Sequence, residues 1–260
     1  MPGKLLVDEP ADGVVRLTIS NPEKRNALDH AILDGLARAV SEADARCIVL
    51  TGADGMFSSG YDIGDIPDDV FAVEAEKLVA HPFTDALDAL DATDIPTVAA
   101  LPGHTIGGGL ELALCCDMRV AAEDIKLGMP PAKLGLVYSH TGLRRFIQSI
   151  GAPRTRELFL LGRNVDASTA HVWGLVNRVA DEDELQDVAL DLARELAGNA
   201  PLSVRGNKRV IRELLAADVR LDEQVIRELI ELREACFASE DMREGVRAFA
   251  EKRPPRWQGR

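Results

Sequence analysis

The chain has 260 residues, 46% of them hydrophobic and 28% charged, which supplies enough apolar side chains for a sizeable core and argues against disorder. Thirty Lys and Arg stand against 43 Asp and Glu, a net charge of −13, and that field repels nucleic-acid backbones and anionic membrane surfaces alike. One large α/β domain with a helical appendage fits the length better than two domains.

In chain order, Leu5–Glu9 and Val14–Ser20 flank Ala11-Asp12-Gly13 and are predicted to form a hairpin. Asp29 then caps a helix whose apolar residues Ile32, Leu33, Leu36 and Val40 recur at helical spacing. Cys47–Thr51 is a short apolar strand ending at Gly52, residues 69–93 are expected to be helical, and Thr97–Leu101 is a strand following Pro96. Met118–Ala121 and Ile125–Met129 are two further strands. Beyond residue 150 helices dominate, over 153–161, 167–173, 182–199, 202–217, 221–238 and 240–251, with one strand predicted at Leu175–Val179. The pattern describes stacked strand–strand–helix units carrying a C-terminal helical extension.

The longest uncharged run, Ile95 to Leu110, has 16 residues, two of them proline and four glycine, and is not expected to span a bilayer. The start, MPGKLLVDEP, has no apolar stretch of the kind a secretory signal needs. Cys47, Cys115, Cys116 and Cys236 show no metal-site spacing, so no metal is expected. Reduced thiols and a cytoplasmic location follow as expectations.

Three segments could carry chemistry. Asn21-Pro22-Glu23-Lys24-Arg25-Asn26-Ala27-Leu28 is either a solvated turn or a place where Lys24 and Arg25 meet phosphates in an otherwise acidic chain. Gly55-Met56-Phe57-Ser58-Ser59-Gly60-Tyr61-Asp62-Ile63 follows a strand and is either a plain loop or a segment whose small residues let backbone N–H groups approach a ligand. Gly103-His104-Thr105-Ile106-Gly107-Gly108-Gly109-Leu110-Glu111-Leu112 places three glycines at a helix start. There they serve either close packing or an oxyanion-binding helix end. Neither a dinucleotide fingerprint nor a Walker loop is present.

Taken together and in this order, these segments resemble the crotonase (enoyl-CoA hydratase/isomerase) superfamily, over nearly the whole chain down to Asp241–Gly259. The resemblance implies an α/β, ClpP-like spiral of stacked ββα units. Residues 1–195 would form the core with the acyl-CoA site, and 196–260 a C-terminal helical trimerisation region. It implies acyl-CoA thioester substrates and no permanently bound cofactor, coenzyme A entering as part of the substrate. Implied partners are that substrate and further copies of the chain, as a homotrimer or a dimer of trimers (homohexamer), with neither nucleic acid nor membrane. The family grips the thioester oxygen with two backbone N–H groups, which match Tyr61 and Gly108. Ala27, Ser59, Asp62 and Ile63 match positions around the substrate, and Lys24 and Arg25 match the CoA-facing turn. Phe249 and Lys252 match residues that reach a CoA across a subunit boundary.

Family hydratases use two glutamates. The first matches Glu111, which is either catalytic or a buried helix residue, and the second falls on Pro131, which can neither give nor take a proton. The stretch Met129–Ser139 resembles the methylmalonyl-CoA decarboxylase branch, with Pro131 and Tyr138 in matching places. Two departures are Tyr61, where that branch has His, and Gly109, where it has Ala. Tyr138 is expected to hold a substrate carboxylate by hydrogen bonding, or else to be a loop tyrosine at a subunit contact. The expected activity is that of an acyl-CoA lyase decarboxylating a methylmalonyl-CoA-like thioester. The alternatives are an enoyl-CoA hydratase or isomerase using Glu111 alone, and an inactive acyl-CoA-binding protein.

Overall fold

The computed structural model describes residues 2–62, 74, 77, 79–217 and 223–258. Ile63, most of residues 69–78 of the helix expected over 69–93, residues 221 and 222, and Gly259 lie outside the described residues.

β1 (Lys4–Ala11) and β2 (Val14–Ser20) pair antiparallel about a turn in which Gly13 takes a left-handed φ of 69°. Helix α1 (His30–Ser41) starts where the sequence places it, because the Asp29 carboxylate accepts from the Ile32 N–H at 2.9 Å. Its apolar stripe, Ile32, Leu33, Leu36 and Val40, is fully buried. β3 (Cys47–Gly52), β4 (Thr97–Leu101), β6 (Met118–Ala122) and β9 (Arg178–Ala180) extend β2 as a parallel sheet. Every residue of β3 and β4 is buried, as expected of central parallel strands covered by helices. Helix α7 (Leu185–Gly198) packs across β3, β4 and β6.

A second, small sheet holds β5 (Thr105–Ile106), β7 (Lys126–Gly128) and β8 (Val165–Asp166). From β4 the chain crosses into β5, runs through helix α3 (Gly108–Cys115) and returns to the large sheet at β6. A second circuit runs from β6 to β7, through α4 (Pro131–Leu134) and α5 (His140–Leu161) to β8, and back through α6 (Ala167–Trp173) to β9. These are the stacked strand–strand–helix turns that the sequence pattern describes. Helix α2 (Thr84–Ala92) follows a π-helical turn at Val79–Phe83 and packs on α1.

Two expectations change. The helix predicted at 153–161 is the second half of α5, whose first half starts at His140 behind a Ser139 cap; the halves join at Gly151, with φ 74° and ψ 161°, just before Pro153. The strand predicted at Leu175–Val179 shrinks to β9. The N–H groups of Leu175 and Val176 both turn back to the Ala170 carbonyl, so that apolar pair fills the core from a helix end rather than from a ladder.

Three helices close the chain: α8 (Pro201–Ala217), α9 (Glu223–Phe237) and α10 (Glu240–Ala250). A basic stripe pins α8 to the core, with Arg205, Lys208 and Arg212 donating to the carbonyls of Ala45, Ile95 and Asp91. α10 folds back onto α4 of the same chain so closely that a Cβ on Gly245 would lie 2.4 Å from the Leu134 oxygen. Phe237 and Met242 form a small apolar cluster there with Tyr61, Leu134, Leu136 and Val246. No helix among the described residues is long and apolar enough to cross a membrane.

Candidate active site

The three sequence segments converge. Leu28 bridges to Tyr61 and Ser58 bridges to Thr105, each in parallel, through Leu28 N–H to Gly60 O at 2.8 Å and Ile106 N–H to Ser58 O at 3.0 Å. Gly60 and Gly107 adopt left-handed φ values of 98° and 58°, which only glycine takes without strain. A Cβ on Gly60 would lie 3.4 Å from the Gly108 nitrogen, so the two backbones are near neighbours. Gly109 serves packing, since a Cβ there would come within 2.7 Å of the Ser58 side chain.

Gly108 is the first residue of α3, where an N–H has no acceptor within the helix. Among the described residues, neither the Gly108 nor the Tyr61 N–H finds a backbone acceptor. Two adjacent free donors, one on the positive end of a buried helix, are an arrangement suited to a developing oxyanion.

Beyond these donors runs a polar chain through an otherwise apolar interior. The Tyr61 and Tyr138 hydroxyls lie 3.3 Å apart, and Tyr138 donates to Glu111 Oε2 at 2.5 Å. Arg145 donates to Glu111 Oε1 at 3.0 Å and forms a further ion pair with Asp91. The Glu111 side chain is only 2% exposed and Arg145 13%. Burial pushes the Glu111 carboxyl above its ordinary value, while the Tyr138 hydroxyl and the Arg145 charge pull it back. Burial, and then the Glu111 charge, hold both phenols well above the ordinary tyrosine value, so they are neutral donors at physiological pH. The ring of Tyr61 lies over Gly108, where a Cβ would come within 2.6 Å of it, and packs edge-on against Phe83. A small recess opens beside these groups, lined by Tyr61, Leu136, Val137, Tyr138, Arg233 and Phe237.

The remaining sequence candidates fall around this centre. Lys24 makes an ion pair with Asp62 at 2.8 Å, while Arg25 is exposed at the end of the Pro22–Lys24 turn. Ala27 is buried, and Ser59 donates from its hydroxyl to the Lys24 carbonyl at 3.2 Å. Pro131 is buried at the start of α4. Phe249, 69% exposed, and the exposed Lys252 lie on or just past α10 and do not line the recess.

Sequence reasoning missed four contributors. Asn26, fully buried, donates to the carbonyls of Ala53 and Met56 and so ties the first segment to the second. Arg145 and Asp91, which the sequence analysis does not single out, compensate the Glu111 carboxylate and its arginine partner in turn. Gly142 admits the neighbouring helix, since a Cβ there would come within 2.8 Å of Glu111 Oε1 and 2.6 Å of the Tyr138 ring. The one available signal was the Ser139 cap, which places Gly142, Arg145 and Phe146 on a single helix.

Comparison with known proteins agrees with this geometry. Residues 9–260 match the family described as "Enoyl-CoA hydratase/isomerase". Among curated proteins, "Probable enoyl-CoA hydratase echA8" of Mycobacterium bovis is 34% identical over 245 residues, 93% of each chain. "Carnitinyl-CoA dehydratase" of Salmonella paratyphi A is 33% identical over 258 residues, 95% of each chain. Among solved structures, methylmalonyl-CoA decarboxylase in complex with 2-nitronate-propionyl-CoA superposes with a TM-score of 0.88 at 26% identity, covering 99% of both chains. A methylmalonyl-CoA decarboxylase complexed with 2S-carboxypropyl CoA gives 0.89 at 26% identity over 98% of both chains.

Proposed function

Because the chain belongs to the enoyl-CoA hydratase/isomerase family and is a crotonase-fold enzyme of acyl-CoA metabolism, we propose that it decarboxylates a small malonyl-type thioester of the methylmalonyl-CoA kind. One observation carries this reading. Both oxygens of Glu111 are committed, to Tyr138 and to Arg145, and none of the described residues lining the recess is a carboxylate, while Pro131 stands in the sequence where family hydratases carry their second glutamate. Adding water across a double bond needs a base for the water and an acid for the adjacent carbon. Decarboxylation needs neither to break its bond.

In the proposed reaction the thioester carbonyl oxygen sits between the Tyr61 and Gly108 N–H groups. The carbon–carbon bond to the carboxylate breaks, CO2 leaves, and the electron pair moves into the carbonyl to give an enolate whose charge those donors stabilise. A proton from water then completes the product thioester. Preorganised donors of this kind are each worth roughly 10²–10³ in rate. The apolar lining from Leu136, Val137 and Phe237 favours moving the charge off the carboxylate, toward the enolate oxygen, as CO2 forms. Coenzyme A enters and leaves as part of the thioester, its phosphates meeting Arg25 and Lys24.

A second reading, hydration or dehydration with Glu111 as sole acid–base group, is favoured by the names of the two curated relatives and by the raised Glu111 carboxyl. Mass spectrometry of methylmalonyl-, ethylmalonyl-, malonyl- and crotonyl-CoA incubated in parallel separates the two. Release of CO2 with little crotonyl-CoA hydration is expected. Fast hydration with no CO2 overturns the decarboxylase reading, and no turnover of any thioester favours an inactive acyl-CoA-binding protein. Self-association is part of the proposal. Val210, Ile211 and Leu214 are exposed on α8, turned away from the stripe that binds the core.

A further inference from the structure

We infer that the Tyr61 side chain, and not Tyr138, is the hydrogen-bond donor that selects a carboxylate on the acyl group, an inference that rests on the proposed substrate class. The polarity of the tyrosine–glutamate chain carries the argument. Arg145 fills one oxygen of Glu111 and marks that carboxylate as an anion and therefore an acceptor. At 2.5 Å from the other oxygen, the Tyr138 proton is held in a short, charge-assisted bond. Having donated its one proton, Tyr138 offers Tyr61 only a lone pair, so Tyr61 is the donor between the two hydroxyls.

That bond is weak. At 3.3 Å it lies outside the usual 2.5–3.0 Å range for two hydroxyls. Both rings border the recess, but exposure distinguishes them in the same direction: Tyr138 is only 8% exposed, whereas Tyr61 is half-buried. Turning the Tyr61 hydroxyl toward a ligand costs one long neutral bond, while freeing Tyr138 breaks a charged one. Position adds to this. Tyr61 carries one of the two oxyanion donors on its own backbone, and its ring lies over Gly108, which carries the other. Its hydroxyl is thus tethered beside the atoms next to the thioester carbonyl, where a malonyl-type carboxylate sits. Tyr138 supports it from behind as a fixed acceptor, oriented by Glu111 and Arg145.

The test uses two unreactive thioethers, propyl-CoA and 2-carboxypropyl-CoA, titrated calorimetrically into the full-length wild type, Tyr61→Phe and Tyr138→Phe. The quantity read is the preference, Kd for propyl-CoA divided by Kd for carboxypropyl-CoA. Wild type should favour the carboxylate, and Tyr61→Phe should cut that preference roughly tenfold or more, the weight of one hydrogen bond to a charged group. Tyr138→Phe should keep the preference within about threefold. A preference unchanged in Tyr61→Phe, or absent from wild type, overturns the inference, as does its loss in Tyr138→Phe alone. CO2 release from methylmalonyl-CoA by the same wild-type preparation separates the two claims. CO2 with an unaltered preference sinks the donor and leaves the reaction standing, and a lost preference without CO2 does the reverse.

Discussion

Arg145 decides what Glu111 can be. A carboxylate buried this deeply is costly unless a cation and hydrogen bonds compensate it, and here Arg145 and Tyr138 supply both. Arg145→Gln leaves the charge uncompensated, with an expected loss of about 3–5 kcal/mol of folding stability. The loss should depend on pH. The Glu111 carboxyl lies above its ordinary value in the folded chain, so over that window the unfolded state binds fewer protons and stability falls as pH rises. Removing Arg145 raises the folded value further and widens the window. The stability gap between wild type and variant in urea titrations should therefore be larger at about pH 8 than at about pH 4. An equal gap at both would show that Arg145 acts through packing alone.

Elements meet at this site because glycine allows it. α3 lies against the Ser58 segment through Gly109, α5 reaches Glu111 through Gly142, and α10 rests on α4 through Gly245. The last contact is the most exacting, since the atom a side chain would strike is the backbone oxygen of Leu134, which cannot rotate away. Gly245→Ala should lift α10 from α4 and cost about 1–3 kcal/mol, the range for overpacking. Loosening the Phe237–Met242 cluster that adjoins Tyr61 should also raise KM for the thioester. Thermal unfolding and steady-state kinetics check both, and a variant with wild-type Tm and KM would exclude a covering role for α10. Most elements were legible in advance: the Asp29 cap and the spacing of Ile32, Leu33, Leu36 and Val40 define α1 with local information only. The first half of α5 was not, because its buried face is sparse: only Gly142, Phe146 and Ile150 are fully covered there.

At the scale of the molecule, α8 shows two characters. Arg205, Lys208 and Arg212 bind it to core carbonyls, whereas Val210, Ile211 and Leu214 remain exposed on the free chain. Exposed apolar groups clustered on one helix face are expected to be covered in an assembly. Ile211→Glu with Leu214→Glu should lower the mass measured by light scattering toward that of a single chain while leaving the helical content unchanged. An unaltered mass would place the interface elsewhere.

Local chemistry, readable in the sequence by itself, determined the hairpin, the Asp29-capped helix, the glycines of the loops around the candidate site and Pro131 where a second acid would stand. Those features depend on residues within a few positions of one another, and the preferences of glycine, proline and capping side chains act over that range. The tertiary structure alone decided the pairings. Lys24, expected to meet phosphate, is also oriented by Asp62, 38 positions away. Tyr138 and Glu111, separate candidates along the chain, share one proton-donating bond, and Arg145 reaches back 34 positions to complete it. A side chain's ionisation and hydrogen-bond direction follow from the charges and donors within a few ångströms. In a chain that passes twice between two sheets, those neighbours come from distant segments, and folding alone brings them within reach.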